Sequence, residues 1–159
     1  MIRDMSETDF ELFWPTFQSI IQAQETYAFE PTLSKEEAYE LWCVQPLKTF
    51  VYIENGTVLG SYYLKANAMG PSSHVSNCGY MVCEQARGKG VAKKLCIHSQ
   101  LVAKQEGFKA MQFNSVVSTN ETAVSLWQKL GFEIVGVLPK AYKHLRFGYV
   151  DSYVMYKWL

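Results

Sequence analysis

The chain has almost no net charge. Fifteen Lys and Arg residues are cancelled by fifteen Asp and Glu residues over 159 positions. That balance speaks against a general nucleic-acid or membrane-surface binder, so any basic cluster must act locally. No apolar run approaches the length of a membrane span. The N-terminus is mixed and lacks an apolar stretch before a small-residue cleavage site, so no secretory leader is expected. The four cysteines, Cys43, Cys78, Cys83 and Cys96, show no C-x-x-C spacing. They read as reduced, mostly buried thiols of a cytoplasmic protein, and no metal is expected. Internal repeats and low-complexity segments are also missing. What remains is an ordinary globular composition, 48% hydrophobic and 19% charged, expected to fold as a single domain over residues 1–159. Aromatic residues are plentiful, at 14%. They suit a large core, a ring-lined substrate pocket, or both.

Taken in order, Ile2-Arg3 reads as a short edge strand. Ser6 with Asp9 marks a helix start, and Phe10, Phe13, Trp14, Phe17, Ile20 and Ile21 then recur at helical spacing. Pro15 interrupts that pattern and implies a kink or a fresh start. Gln24 to Leu33 reads as a loop. Ser34 with Glu37 is a second capping box, opening a short helix that buries Ala38, Leu41 and Trp42. The period then changes. Thr49–Glu54 and Thr57–Lys65 are strand-like, and Asn55-Gly56 between them is a hairpin turn whose residues tolerate positive φ. Ala66 to Ser73 is a loop and His74–Cys83 a third strand, completing a meander. A helix from Val91 to Glu106 follows, ended by Gly107, with Val91, Leu95 and Val102 on its apolar stripe. Ala110–Val116 is a strand. Ser118 with Glu121 reads as a further capping box before a helix of about three turns closed by Gly131. Phe132–Leu138 is a strand, Pro139–Gly148 a basic loop and Tyr149–Trp158 a last strand. This order mixes hairpins with strand–helix–strand units and predicts a mixed, twisted, mostly antiparallel sheet of six to seven strands with helices on both faces, an α/β (α+β) fold.

The chain is organised around Arg87-Gly88-Lys89-Gly90-Val91-Ala92. A strand that turns through glycines into a helix leaves unpaired N–H groups at the positive end of the helix dipole, an arrangement suited to phosphate. Spacing narrows the ligand. A Walker loop requires Lys-Ser/Thr after its last glycine, and Val91-Ala92 stand there. A dinucleotide fingerprint requires a third glycine where Lys93 stands, and belongs to a parallel unit rather than to the end of a meander.

Arg87-x-x-Gly90-x-Ala92 resembles the acyl-CoA motif of the GNAT N-acetyltransferase superfamily, Arg/Gln-x-x-Gly-x-Gly/Ala. Asn120-x-x-Ala123-x-x-x-Trp127-x-x-x-Gly131-Phe132 is similar to that family's Asn-x-x-Ala-x-x-x-Tyr-x-x-x-Gly-Phe segment. The element order is similar along nearly the whole length, and Gly148-Tyr149-Val150-Asp151 resembles the phosphinothricin-acetyltransferase-like branch. The resemblance implies the GNAT fold and an acetyl-CoA-dependent acyltransferase acting on a primary amine by direct attack in a ternary complex. The implied acceptor is a small, amino-acid-like molecule. A protein N-terminus or lysine is the alternative acceptor, and a non-catalytic acyl-CoA-binding module is the alternative role. Homodimers are common in the family.

By the same resemblance the pyrophosphate lies on the N–H groups of Arg87, Gly88, Lys89, Gly90, Val91 and Ala92, and the pantetheine along Met81, Val82 and Cys83. The N–H of Met81 or Val82 polarises the thioester carbonyl, and Asn120 bonds the pantetheine arm. The family's thiolate acid is a Tyr where this chain has Trp127. An indole N–H donates a hydrogen bond but is no proton source at neutral pH, so Trp127 reads as a core residue, and either the thiolate leaves without a protein acid or Tyr142 or Tyr149 supplies the proton. Tyr80, Asn77 and Asn114 are candidates for a water relay serving as base. Tyr27, Phe29, Trp42, Tyr62 and Tyr142 are candidates for the acceptor pocket. Lys140, Lys143, His144 and Arg146 form a local basic cluster. His98, on the apolar stripe of its helix, reads as a core histidine.

Overall fold

The structure is a computed structural model describing all residues, 1–159. Its centre is a seven-stranded sheet in the order β1-β2-β3-β4-β5-β7-β6. The strands are β1 (Ile2–Asp4), β2 (Lys48–Glu54), β3 (Thr57–Ala66), β4 (Val75–Val82), β5 (Ala110–Val117), β6 (Glu133–His144) and β7 (Gly148–Trp158). The helices are α1 (Glu7–Ala23), α2 (Lys35–Tyr39), α3 (Val91–Gln105) and α4 (Glu121–Lys129). Every pair of neighbouring strands is antiparallel except β4 and β5, the pair joined through α3. This is the mixed, mostly antiparallel sheet that the alternation of periods predicts.

The pleat sorts side chains between two cores. Tyr62, Leu64 and Cys78 pack with Leu95, Phe113, Trp127 and Met155 beneath α3 and α4. Met81 packs with Phe10, Phe13, Phe17, Ile21 and Trp42 on the other face, beneath α1 and α2. Gly60 lets α3 come close to β3: a Cβ there would stand 3.1 Å from Val91 Cγ1 and from Leu95 Cδ1.

Local signals set most element ends. Ser6 and Ser34 make the capping boxes that open α1 and α2. Asn55 and Gly56 have φ of 51° and 73° in the β2–β3 turn, as that pair of residues allows.

Four expectations change. Helix α1 runs unbroken through the exposed Pro15, because Phe10, Phe13, Phe17 and Ile21 bury one face on both sides of it. After α2 the chain widens into a π-type turn over Glu40–Val44, closed by Gln45 N–H donating to Glu40 O at 2.9 Å. It carries Trp42 into the core, where Nε1 donates to Ser61 Oγ at 2.9 Å. Helix α4 is capped by Asn120, whose Oδ1 accepts from Ala123 N–H at 3.3 Å. Ser118 instead donates its main-chain N–H to Asp151 O. Finally, much of the expected basic loop after Pro139 is strand. Strand β6 continues to His144, with a register slip between Leu138 and Tyr142 that accommodates Pro139.

Candidate active site

Strands β4 and β5 pair only at Val75–Ala110 and Ser76–Met111, and then separate. Beyond that point β5 holds to β7 with an irregularity between Phe113 and Val116. The carbonyl of Gln112 is covered by Asn77 Nδ2 at 2.9 Å.

The hydrogen-bond phase of β4 shows what faces this gap. Asn67 N–H donates to Val75 O, and Cys83 N–H to Leu59 O. In an antiparallel ladder such pairs recur every second residue, so Val75, Asn77, Gly79, Met81 and Cys83 turn their main-chain groups toward β3. On the other side, Lys109 N–H donates to His74 O at 2.8 Å. The main-chain groups of Cys78, Tyr80 and Val82 therefore face the gap. Of the two candidate donors, Val82 points its N–H into the gap, and Met81 points toward Ser61 of β3. The Met81 side chain is buried under α1, and Cys83 lies in the core under α3.

At the end of β4 a 3-10 turn, Glu84–Ala86, leads to Gly88 and Gly90, with φ of 78° and 76°. Arg87 N–H donates to Glu84 O and Lys89 N–H to Ala86 O, so these two expected ligand donors are engaged in the turn itself. The first intrahelical bond of α3 is Lys94 N–H to Gly90 O. The N–H groups of Val91, Ala92 and Lys93 precede it, and no side chain caps the helix. A Cβ at Gly88 or Gly90 would meet nothing within 4 Å. The result is an open, uncapped helix start next to the mouth of the gap, with Arg87, Lys89, Lys93 and Lys94 around it.

The loop after α1 covers the gap from the α1 face. Tyr27 Oη donates to Tyr80 O at 2.7 Å, and Tyr142 Oη donates to Tyr27 O at 2.9 Å. The Tyr27 and Phe29 rings stack with centroids 5.5 Å apart. Burial raises the pKa of Tyr27 well above the ordinary phenol value, and that of Tyr142 upward as well. Both hydroxyls are hydrogen-bond donors at neutral pH.

A polar chain runs along the same face of the sheet. Tyr63 Oη donates to Asn77 Oδ1 at 3.1 Å, Gln112 Nε2 to Asn114 Oδ1 at 2.9 Å, and Asn114 Nδ2 to Asn67 Oδ1 at 2.7 Å. Asn77 and Asn114 thus meet through Gln112. Tyr80 does not join them. Its hydroxyl lies on the opposite face, 2.7 Å from Ser99 Oγ, and burial raises its pKa well above the ordinary phenol value. What Tyr80 gives the gap is its main chain, with the carbonyl taken by Tyr27 Oη. Tyr62 also belongs to that opposite face: it is fully buried, with its hydroxyl 2.8 Å from His98 Nδ1. Burial lowers the His98 pKa, which keeps the ring neutral. Trp127 is a core residue, its ring 5.0 Å from that of Tyr80.

The basic cluster is dispersed. His144 is buried, and its Nδ1 accepts the N–H groups of Arg146 and Phe147. Arg146 faces Glu25 at 3.4 Å, and Lys143 lies over the Tyr149 ring. No three His, Cys, Asp or Glu side chains are grouped as metal ligands would be. Sequence reasoning missed Gly79 and Tyr63. A Cβ at Gly79 would lie 2.5 Å from Tyr63 Cε1 and 3.0 Å from Tyr27 Oη. A glycine inside a strand pattern was the available signal, since it marks a close approach.

Residues 10–132 match the family described as Acetyltransferase (GNAT) family. A GCN5-related N-acetyltransferase from Kribbella flavida is 43% identical, with a TM-score of 0.95 over 100% of this chain and 97% of that one. N-acetyltransferase aca1 of Schizosaccharomyces pombe is 35% identical over 99 residues, 62% of this chain. The match spans about half of that curated relative, 47% of its length. A phosphinothricin acetyltransferase from Sinorhizobium meliloti, solved in complex with AcCoA, shares the fold at 19% identity, with a TM-score of 0.87 over 100% of this chain and 88% of that one.

Proposed function

Because the chain belongs to the GNAT acetyltransferase family, we propose that it transfers an acetyl group from acetyl-CoA to the primary amine of a small, amino-acid-like molecule. The observation that carries this reading is the continuity of the uncapped start of α3 with the unpaired edge of β4. The first suits a pyrophosphate. The second suits an extended arm carrying amides, which would continue the interrupted ladder. The structural relative that holds AcCoA has the same fold.

In this reading Gly88, Gly90, Val91, Ala92 and Lys93 supply main-chain N–H donors to the pyrophosphate. Val82 N–H polarises the thioester carbonyl as charge gathers on its oxygen. The amine nitrogen attacks the carbonyl carbon, the C–S bond breaks, and CoA leaves as the thiolate, which is then protonated from solvent. No carboxylate or histidine joins the polar chain of Tyr63, Asn77, Gln112, Asn114 and Asn67. That chain holds water, which takes the proton from the amine. Asn120 acts as the cap of α4.

Thermal unfolding with acetyl-CoA, CoA, NAD and ATP tests the ligand. At about a hundred times its dissociation constant a ligand adds roughly 2.7 kcal/mol, a shift of several degrees. Both CoA species should shift the transition, and NAD and ATP should not. Release of CoA thiol across a panel of amines then tests catalysis. Saturable release with an amino acid supports the small-molecule reading, and release only with peptides replaces it. Tight acetyl-CoA binding with no acceptor in either class would mark a non-catalytic acyl-CoA-binding module.

A further inference from the structure

Building on the acetyl-CoA reading of the gap, we infer that the Tyr27 side chain is the end-stop of the acyl channel and restricts the thioester to acyl groups of about acetyl size. The argument rests on where its hydroxyl stands. Tyr80 O lies in the plane of the sheet and points toward β5, across the gap. A hydroxyl 2.7 Å from it, and 3.0 Å from where a Gly79 Cβ would stand, sits over the gap-facing edge of β4 from the α1 side and closes the gap there. The next gap-facing donor toward the helix start is Val82 N–H. One residue of strand, Met81, stands between that carbonyl and that N–H, a spacing of about 4–5 Å along the edge. A carbonyl held at Val82 has space beyond it for a methyl, and a longer chain meets the Tyr27 oxygen.

The stop is walled on both faces. Above β4, Tyr63 and Tyr27 close over Gly79, where even a Cβ would lie 2.5 Å from Tyr63 Cε1. Below, the Tyr80 ring packs on Trp127 at 5.0 Å. The stop is also held rigidly. The Tyr27 main chain accepts from Tyr142 Oη, its ring stacks on Phe29, and it meets Trp42 edge-on at 6.0 Å. Swinging it aside would forfeit all of these contacts at once. Its burial keeps the hydroxyl protonated and bonded to Tyr80 O.

Calorimetric titration with free CoA, acetyl-CoA, butyryl-CoA and hexanoyl-CoA tests the stop without any acceptor amine. The native protein should bind hexanoyl-CoA about tenfold or more weaker than acetyl-CoA, with butyryl-CoA between them. Tyr27→Ala should bring hexanoyl-CoA to within about threefold of acetyl-CoA and leave free CoA, which does not reach the stop, unchanged. If Tyr27→Ala fails to fold, Tyr27→Phe keeps the stacked ring and frees Tyr80 O, and the hexanoyl penalty should still shrink. Equal affinity for all acyl lengths in the native protein overturns the end-stop. So does an unchanged ladder in a folded variant. Failure of free CoA to bind at all overturns the acetyl-CoA reading itself, and is distinguished by being independent of acyl length.

Discussion

Asp9 gathers more hydrogen bonds than any other carboxylate in the chain. It accepts from Arg3 Nη1 at 2.6 Å and Nη2 at 3.0 Å, and from Ser6 N–H and Oγ at 2.8 Å each. The Arg3 bonds lead in holding its carboxyl down to a pKa of about 2. A depressed carboxylate stabilises the fold at pH values above its unfolded pKa, and that contribution is lost as pH falls toward the folded value. Arg3 is partly exposed, so solvent reduces the contribution to about 1–2 kcal/mol. Asp9→Asn should therefore lower the melting temperature by a few degrees at pH 7, and the difference should shrink as pH falls through the range from about 4 to 2 and vanish below it. A pH series of unfolding transitions for both proteins checks this. Residue pairs of this kind were legible because Ser6 and Asp9 are three positions apart and need no tertiary information. Tyr62 and Tyr63 were not. Alternation says that neighbours point to opposite faces, but not which face lies under α3 and which under the Tyr27 loop.

At the scale of elements, punctuation decided what could be read. Glycines and capping serines marked α1, α2, α3 and the β2–β3 hairpin, and those boundaries agree with the sequence within a residue or two. Strand β6 was shortened in the reading because Pro139 and the basic residues after it look like a loop. A register slip lets a strand carry them, and slips leave no periodic trace. The uncapped start of α3 is legible as glycines before a helix, but not which N–H groups stay free. That depends on the 3-10 turn engaging Arg87 and Lys89. This helix start makes a paired prediction. Gly90 has φ of 76°, so Gly90→Ala adds strain of about 1 kcal/mol with no charge. Gly90→Glu adds the same strain and an anion. Titration with acetyl-CoA should show most of the affinity retained in the first and about a hundredfold loss in the second. Equal losses would mean that the backbone conformation, rather than the field at the helix start, holds the ligand.

Across the whole molecule, distant parts of the chain close over one gap. Tyr142 reaches back 115 positions to the Tyr27 carbonyl, Leu145 N–H donates to Gln24 O at 3.1 Å, and Arg146 faces Glu25. The exposed ion pair contributes little. The Tyr142 bond, made by a buried hydroxyl, is worth about 1 kcal/mol. Tyr142→Phe should lower the melting temperature by a few degrees and speed hydrogen exchange across residues 24–33 more than in α3. Uniform faster exchange would mean that the bond supports the fold generally and not that loop. The residues alone did not show this closure, because contacts between distant parts of the chain leave no local pattern; only the family resemblance grouped Tyr27 with Tyr142. The sheet order shares that property: β7 lies between β5 and β6, and only non-local pairing sets it there.

A sheet that parts in its middle has two additional edges, and these lie inside the molecule. Exposed edges invite foreign strands, and proteins guard outer ones with charge, proline or bulges. Here the guards are side chains that imitate the missing neighbour: Asn77 on the carbonyl of Gln112 and Tyr27 on that of Tyr80. The opening proposed for the cosubstrate would otherwise be an edge open to a foreign strand. Both guards cover carbonyls and leave the N–H of Val82 uncovered, so the protein remains receptive along the stretch nearest the helix start.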